Sequence, residues 1–189
     1  MTPPFADSSE PGGTSTPPGI DDPGAKTAVV VMGVSGAGKT TVAEILARRL
    51  GWLEAEADDF HPPANVAKMH SGIPLTDEDR EPWLAALRDW ITKAPGSVIL
   101  TCSALRRSYR DVLRSANARV EFLHLDGDHD LIRQRITSRS GHFMPASLLD
   151  SQFATLEPLQ PDEPGLVADV ADEPEAIADQ AVRALRLGN

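Results

Sequence analysis

Eight consecutive residues near the start of the chain have the types and spacing needed to hold a row of phosphates. They run over 33–40 as GVSGAGKT and fit the pattern G-x-x-x-x-G-K-[ST], the P-loop. The glycines allow a turn that points main-chain N–H groups at phosphate oxygens, and the following helix adds its unpaired donors and dipole. The pattern predicts that Lys39 reaches the β- and γ-phosphates and that the Thr40 hydroxyl binds Mg²⁺. The candidate nucleotide-binding residues are Gly33, Ser35, Gly36, Ala37, Gly38, Lys39, Thr40 and Thr41.

A second chemical group must decide which kind of P-loop protein this is, because kinases, GTPases and ATPases share the motif. No Asn-Lys-x-Asp guanine reader occurs in the sequence, which argues against a GTPase. The apolar run at 97–101 is followed by Cys-Ser-Ala rather than by an acid, whereas a run at 52–57 leads into Asp58 and Asp59. Ligands of open α/β sheets lie at the carboxyl ends of the strands. Of the two acids we predict Asp58 to face the phosphates, and a solvated turn is the alternative.

The elements that position these residues follow from apolar periodicity. The β-branched run at 27–32 is typical of a strand buried on both faces, and shorter runs at 52–57, 97–101, 120–125 and 166–170 predict further strands. Amphipathic helical patterns lie between the runs. Their approximate ranges are 41–50, 77–91, 106–115, 128–138, 145–156 and 174–187. This alternation predicts a three-layer α/β/α fold around a central parallel β-sheet.

The charge balance limits the possible partners. The chain has 189 residues, enough for one ordinary domain, and a net charge of −10. Such a chain is poorly suited to nucleic acid or to an anionic membrane, since both are polyanions. Eight of the 18 basic residues are nevertheless arginines between Cys102 and His142. That segment is a candidate for binding a small anion, and a solvated helical face is the alternative.

Composition also predicts the compartment and the domain boundaries. Cys102 is the single cysteine, so no internal disulfide can form, and we predict a cytoplasmic protein. No stretch resembles a secretory signal, and no apolar run approaches the roughly 20 residues that cross a bilayer. Six of the 16 prolines lie in the first 24 residues. We predict a disordered tail over 1–25 and one P-loop kinase domain over 26–189.

Several segments together make the chain similar to a known family. They are GVSGAGKTT at 33–41, DDFHP at 58–62, NVAKM at 65–69, SGIPLTDEDREPW at 71–83, CSALRRSYR at 102–110 and GHFMPASLLDSQFATL at 141–156. With these motifs the chain resembles the small P-loop gluconate kinases, which are relatives of shikimate kinase. The P-loop is shared by a whole superfamily, but the other segments are far more specific. One departure is Ala57, where the family usually has glycine.

The resemblance implies a reaction and partners. It implies ATP-dependent phosphorylation of the 6-hydroxyl of D-gluconate, with Mg²⁺, to give 6-phosphogluconate for the pentose phosphate and Entner–Doudoroff pathways. It also implies a homodimer. Two other readings remain open: a P-loop kinase for another small acceptor, such as a shikimate-like acid or a nucleotide, or a nucleotide-binding regulator without turnover.

Gluconate is a polyol with one carboxylate, so its pocket needs a cation and several polar side chains. Arg106 and Arg110 are four residues apart, and we predict that both face the carboxylate or the phosphates from one side of a helix. Asp58 is predicted to orient or deprotonate the attacking hydroxyl, or else to hold a metal-bound water. The predicted partners of the sugar hydroxyls are His61, Asn65 and Gln152.

Arg135 and Arg139 are also four residues apart and lead into His142. We predict that residues 134–147 form a lid, which brings positive charge onto the transferring phosphoryl group and excludes water. In that interpretation Arg135 and Arg139 join Lys39 and Asp58 as catalytic residues. His142 either touches the substrate or braces the lid.

Overall fold

A five-stranded parallel sheet forms the centre of the molecule in a computed structural model, which describes residues 25–138 and 146–188. Its strands are β1 (Thr27–Met32), β2 (Leu53–Glu56), β3 (Val98–Thr101), β4 (Arg119–Asp126) and β5 (Gly165–Asp169). Their order across the sheet is β2-β3-β1-β4-β5, with β1 in the middle. Every pairing is parallel, so all five carboxyl ends meet at one edge.

The middle strand explains why the fold has three layers. All six residues of β1 are buried, and their side chains alternate between two separate apolar clusters. Val29 and Val31 pack in one cluster, while Val30 and Met32 pack in the other. A strand covered on both faces needs a continuous apolar sequence, and TAVVVM supplies it.

Seven helices are present in the described residues, and six of them, all but α2, pack on the two faces of the sheet. They are α1 (Lys39–Leu50), α2 (Pro63–His70), α3 (Asp77–Lys93), α4 (Arg107–Arg114), α5 (His129–Ser138), α6 (Ala146–Thr155) and α7 (Pro174–Ala184). Buried residues of α1, α5, α6 and α7 belong to the cluster around Val29, and those of α3 and α4 to the cluster around Val30. The predicted three-layer α/β/α fold is therefore confirmed.

Local signals define where the helices that border the site begin and end. The helix α1 is terminated by its C-cap residue Gly51, which has a left-handed φ of 67° and donates its N–H to the Ala47 carbonyl. At the start of α3, the Thr76 side chain accepts from the Asp79 N–H while Asp79 accepts from the Thr76 N–H, a capping box. Both ends are thus stabilised by residues within the local sequence.

The segment between β2 and α3 was not predicted in detail. It contains a single 3₁₀ turn (Ala57–Phe60) followed by α2, a helix of eight residues. Pro62 and Pro63 lie at the start of α2, and a helix of eight residues is too short to show a clear apolar periodicity. The predicted tail falls almost wholly outside the described residues, as does the middle of the predicted lid. No described helix has the length and hydropathy needed to span a membrane.

Candidate active site

The P-loop connects β1 to α1 at the carboxyl edge of the sheet. Gly33, Gly36 and Gly38 have φ values of 141°, 80° and 96°, which side-chain-bearing residues rarely adopt. A Cβ at Gly33 would lie 2.7 Å from the Leu125 carbonyl oxygen, and a Cβ at Gly36 would lie 2.4 Å from a side-chain carbon of Ile136. The protein therefore packs closely against the loop at Gly33 and Gly36.

The main-chain N–H groups of the loop divide into two sets. Those of Gly33, Ser35 and Ala37 donate within the protein, to the Ser103 carbonyl (3.3 Å), to Gln152 Oε1 (2.7 Å) and to the Val34 carbonyl (3.3 Å). The helix α1 begins at Lys39, so the N–H groups of its first turn have no acceptor within the helix. The anion-binding donors are thus concentrated at the start of α1, and Gly33 and Ser35 shape the loop that precedes them.

Lys39 is held inside the loop. Its ammonium donates to the Val34 carbonyl oxygen at 3.1 Å. Burial lowers the pKa of Lys39 below its ordinary value, although the nearby Cys102, Asp58 and Glu56 act in the opposite direction. A desolvated ammonium beside a ring of main-chain donors is poised to exchange its carbonyl partner for phosphate oxygens.

Glu56, which was not predicted from the sequence, joins the helix after the P-loop to the ends of β2 and β3. Its carboxylate accepts from the Thr40 hydroxyl at 2.9 Å and also from the Thr101 hydroxyl. A hydroxyl and a carboxylate oxygen at one point form a hard-donor set that suits Mg²⁺, which prefers few protein ligands together with phosphate oxygens. Among the described residues no cluster of three or more acidic, His or Cys side chains could hold a metal by itself. The signal available in the sequence was an acid one residue before the end of the strand predicted at 52–57.

Asp58 and His61 follow β2 and are positioned by α3. Trp83 of α3 donates its indole N–H to the Ala57 carbonyl at 2.7 Å, which holds the 3₁₀ turn in place. The His61 ring stacks on Trp83 with 4.4 Å between centroids and 12° between planes. Burial lowers the pKa of His61 below its ordinary value, Asp58 acts against this and Arg80 adds to it, so the net shift favours the neutral ring. Asp58 is exposed at this edge and is close enough to Lys39 for their charges to interact.

Asn65 braces the start of α3 through its amide nitrogen. It is 3% exposed, and its amide nitrogen donates to the Asp79 carbonyl at 2.8 Å. The same nitrogen lies 3.4 Å from Nδ1 of His61. Asn65 therefore links α2 to α3 and supports His61 through its amide nitrogen, and its contact with a sugar hydroxyl stays a prediction.

Arg106 and Arg110 do not act as a pair. Arg106 is the residue before α4, is partly exposed, and contacts Asp77 at 3.1 Å. Arg110 is fully buried, and its guanidinium binds both carboxylate oxygens of Glu163 and four main-chain carbonyls. With all of its donors engaged, Arg110 cannot bind a substrate carboxylate, so the prediction is wrong for Arg110, while for Arg106 it stays a prediction.

The cation that does lie near Arg106 is Arg80, which the sequence analysis did not single out. The two guanidinium groups lie 5.6 Å and 6.0 Å from the centre of the Tyr109 ring. Both also approach the carboxylate of Asp77, which accepts from the Tyr109 hydroxyl at 2.6 Å. That hydrogen bond and the two arginines hold the pKa of Asp77 below its ordinary value. This cluster is able to hold one carboxylate.

A cavity of about 350 Å³ opens beside the P-loop. It is lined by Gly36, Ala37, Gly38, Thr41, Val42, Arg135, Ser138, Val170, Ala171, Asp172, Glu173, Pro174 and Ile177. The structure thus brings the predicted Arg135 to the P-loop, on the side of the loop that follows β5. The other two predicted residues of the lid, Arg139 and His142, lie outside the described residues.

Gln152 lies on α6 and contacts the P-loop rather than the region of His61. Its Oε1 accepts from the Ser35 N–H, and its Nε2 donates to the Ser35 hydroxyl at 3.0 Å. Both polar atoms of the amide thus contact the phosphate-binding loop, and the contact with a sugar hydroxyl stays a prediction.

Comparison with known proteins identifies the family and the fold of the chain. A family model described as an AAA domain matches residues 29–159. A gluconokinase of Gluconobacter oxydans is 52% identical over 158 residues, which are 82% of this chain and 89% of that protein. The crystal structure of a gluconokinase from Sinorhizobium meliloti superposes with a TM-score of 0.77 at 42% identity, covering 85% of this chain and 92% of that one. Shikimate kinase from Bacteroides thetaiotaomicron has a TM-score of 0.65 at 15% identity, over 86% of this chain and 100% of that one, which is a likeness of fold alone.

Proposed function

The chain belongs to the gluconokinase family of P-loop phosphotransferases, and from that premise we propose that it transfers the γ-phosphoryl group of ATP to the 6-hydroxyl of D-gluconate. The product is 6-phosphogluconate. A cytoplasmic location and a homodimeric assembly, which the family resemblance implies, stay predictions.

The nucleotide is assigned to the P-loop and to the adjoining cavity. The N–H groups at the start of α1 and the ammonium of Lys39 bind the β- and γ-phosphates. The adenosine then extends into the cavity between Arg135 and the segment 170–174. Arg135 faces the same space as Gly36 and Gly38, so its guanidinium is available to stabilise charge on the transferring group.

Thr40 and Glu56 are the residues that would hold Mg²⁺. When bound, the ion neutralises charge on the phosphate oxygens. Thr101 orients the Glu56 carboxylate by donating a hydrogen bond to it, and Glu56 in turn fixes the Thr40 hydroxyl. The ends of β2 and β3 thereby align the first turn of α1 before any ligand arrives.

The sugar acid is assigned to the space between the 3₁₀ turn and the start of α4. Asp58 accepts a hydrogen bond from the attacking 6-hydroxyl, which aligns its oxygen with the γ-phosphoryl group and draws off its proton. His61, held flat on Trp83, offers a neutral ring nitrogen to another hydroxyl. Arg106 and Arg80 bind the carboxylate at the far end of the chain, in exchange for part of their contact with Asp77.

The observation that carries this proposal is the convergence of Lys39, Glu56 and Asp58 at one edge of the sheet in a chain 52% identical to a gluconokinase. The test is a coupled assay of ADP release with gluconate, shikimate and nucleoside monophosphates as acceptors. We expect turnover with gluconate alone. Equal turnover with another acceptor, or none with gluconate, would contradict the proposal.

The role of Asp58 is tested separately with an adjacent matched control. Asp58→Asn keeps the size of the side chain but removes its charge, and we expect kcat to fall by about two orders of magnitude. Asp59→Asn changes an equally exposed neighbour and should leave kcat within about threefold. Normal kcat in Asp58→Asn would remove Asp58 from the chemistry.

A further inference from the structure

The helix α6 presents one polar residue in an otherwise apolar stripe. Leu149, Phe153 and Leu156 are spaced i, i+4 and i+7, and all three pack in the core. Gln152 belongs to the same stripe by its spacing, three residues after Leu149. Gln152 is half-buried, and an apolar residue there would pack without the cost of desolvating an amide, so the polar side chain requires a specific partner.

The partner of Gln152 supplies that reason. Its amide makes two hydrogen bonds to a single residue, accepting from the Ser35 N–H at 2.7 Å and donating to the Ser35 hydroxyl at 3.0 Å. The two bonds bridge 117 positions of sequence. Together they define the orientation of the peptide plane before Ser35 and the rotamer of its side chain.

The contact between Gln152 and Ser35 lies between two glycines, which give the P-loop conformational freedom at this point. Ser35 stands between Gly33 and Gly36, which both have left-handed φ values and lose much conformational entropy when ordered. Ile136 packs against Gly36 from outside, and Lys39 donates to the Val34 carbonyl from inside. Gln152 holds Ser35, the residue between Val34 and Gly36.

We propose that Gln152 is a positioning residue for the nucleotide, which holds the P-loop at Ser35 so that the donors at the start of α1 are aligned before the phosphates bind. The proposal rests on the proposed function only in taking a nucleoside triphosphate as the ligand of the P-loop. Preorganised donors bind an anion more tightly, because the protein does not have to order the loop during binding.

The experiment replaces Gln152 by methionine, which keeps the volume of the side chain in the apolar stripe and removes both hydrogen bonds. We expect the Kd for ADP, measured by calorimetry, and the KM for ATP to rise about tenfold. The KM for gluconate should stay within about twofold. Gln160→Met is the matched control, since Gln160 is an exposed glutamine that binds the Pro158 carbonyl, and it should change neither constant.

A double-mutant cycle separates positioning from a general loss of structure. Ser35→Ala removes the bond to Nε2 from the other side, and its effect on the Kd for ADP should be clearly smaller in the Gln152→Met background than in the wild type. Additive effects would overturn the proposal. So would an unchanged Kd for ADP in a folded Gln152→Met protein, or a rise in the KM for gluconate alone. If the wild type does not phosphorylate gluconate but Gln152→Met still weakens ADP, the proposed function fails and this proposal stands.

Discussion

The P-loop at 33–40 and the arginine segment at 105–114 border the same site but depend on different kinds of structure. In the P-loop the main chain does the binding, and its shape comes from glycines at fixed spacing and the helix that follows. In the arginine segment the side chains matter, and their roles depend on distant partners. Arg106 contacts Asp77, whereas Arg110, one helical turn later, is buried against Glu163.

The difference shows how stability and binding are distributed around the site. Lys39 is a buried cation without an ionic partner in direct contact among the described residues, so the fold bears a desolvation cost there. Arg110 is a buried cation whose donors are all engaged. A charge left ready for a ligand contributes to binding, and a charge already satisfied contributes to the fold.

Replacement of Lys39 by methionine should have the largest effect on activity. Removing the charge on the β- and γ-phosphates should lower kcat/KM by about three orders of magnitude. The free energy of unfolding should be unchanged or higher, because the cost of burying the ammonium disappears. Steady-state kinetics and urea unfolding measure the two quantities. Lys93→Met, at an exposed lysine of α3, should change neither, and a large loss of stability in Lys39→Met would contradict the comparison.

Arg110→Met should give the opposite result. It leaves the buried Glu163 carboxylate without its cation, which should lower the free energy of unfolding by about 3–5 kcal/mol in urea unfolding. The double variant Arg110→Met/Glu163→Leu should recover part of this loss, although the carbonyls that Arg110 bonds stay unpaired. If Arg110→Met were stable but bound gluconate poorly, Arg110 would be a binding residue after all.

The strands and the P-loop could be predicted from the local sequence, whereas the roles of Arg106 and Arg110 could not. Each strand of the sheet was predicted within about two residues, because buried parallel strands need continuous apolar runs. The P-loop residues could also be named from the local sequence, because the pattern of glycines, lysine and threonine identifies them. The i, i+4 spacing of Arg106 and Arg110 predicted a shared face, but Arg106 lies before the first residue of α4, and Glu163 occupies the neighbourhood of Arg110.

The roles of Glu56 and Gln152 also depend on partners that lie far away in the sequence. Glu56 is one acid among 28 acidic residues, and its importance appears only when β3 places Thr101 beside it. Gln152 looked like a polar ligand, and only the packing of α6 directs its amide to Ser35. The order of the strands, which creates these neighbours, is a property of the whole fold and is not written in any one segment.

Arg106→Ala should have a moderate effect, and on binding rather than stability. The KM for gluconate should rise about tenfold, since a charge-assisted hydrogen bond to the carboxylate is lost. The free energy of unfolding should change by less than about 1 kcal/mol, because the contact with Asp77 is exposed. Arg107→Ala is the control: this neighbouring arginine binds Asp162 at the surface and should leave the KM unchanged. Equal effects of the two variants would exclude a specific role for Arg106.

The smallest effect is expected from acid, and it concerns His124 on the same side of the sheet as Arg110. His124 is 3% exposed, and neither ring nitrogen has a hydrogen-bond partner. Burial lowers the pKa of His124, Asp126 acts against this, and Arg110 adds to it. The unfolded chain therefore takes up a proton at a higher pH than the folded one, so stability is complete above about pH 6.5 and falls as the pH decreases.

A single group of this kind changes the free energy of unfolding by at most about 1.4 kcal/mol per pH unit. Urea unfolding of His124→Phe and wild type between pH 5 and pH 8 measures its share, because the variant keeps an aromatic ring but cannot take up the proton. We expect the variant to be at least as stable as the wild type at pH 8 and its advantage to grow towards pH 5. His70→Phe, at an exposed histidine, should run parallel to the wild type. If His124→Phe also runs parallel, the imidazole finds a partner when charged, and burial of the unpaired His124 ring does not limit stability in acid.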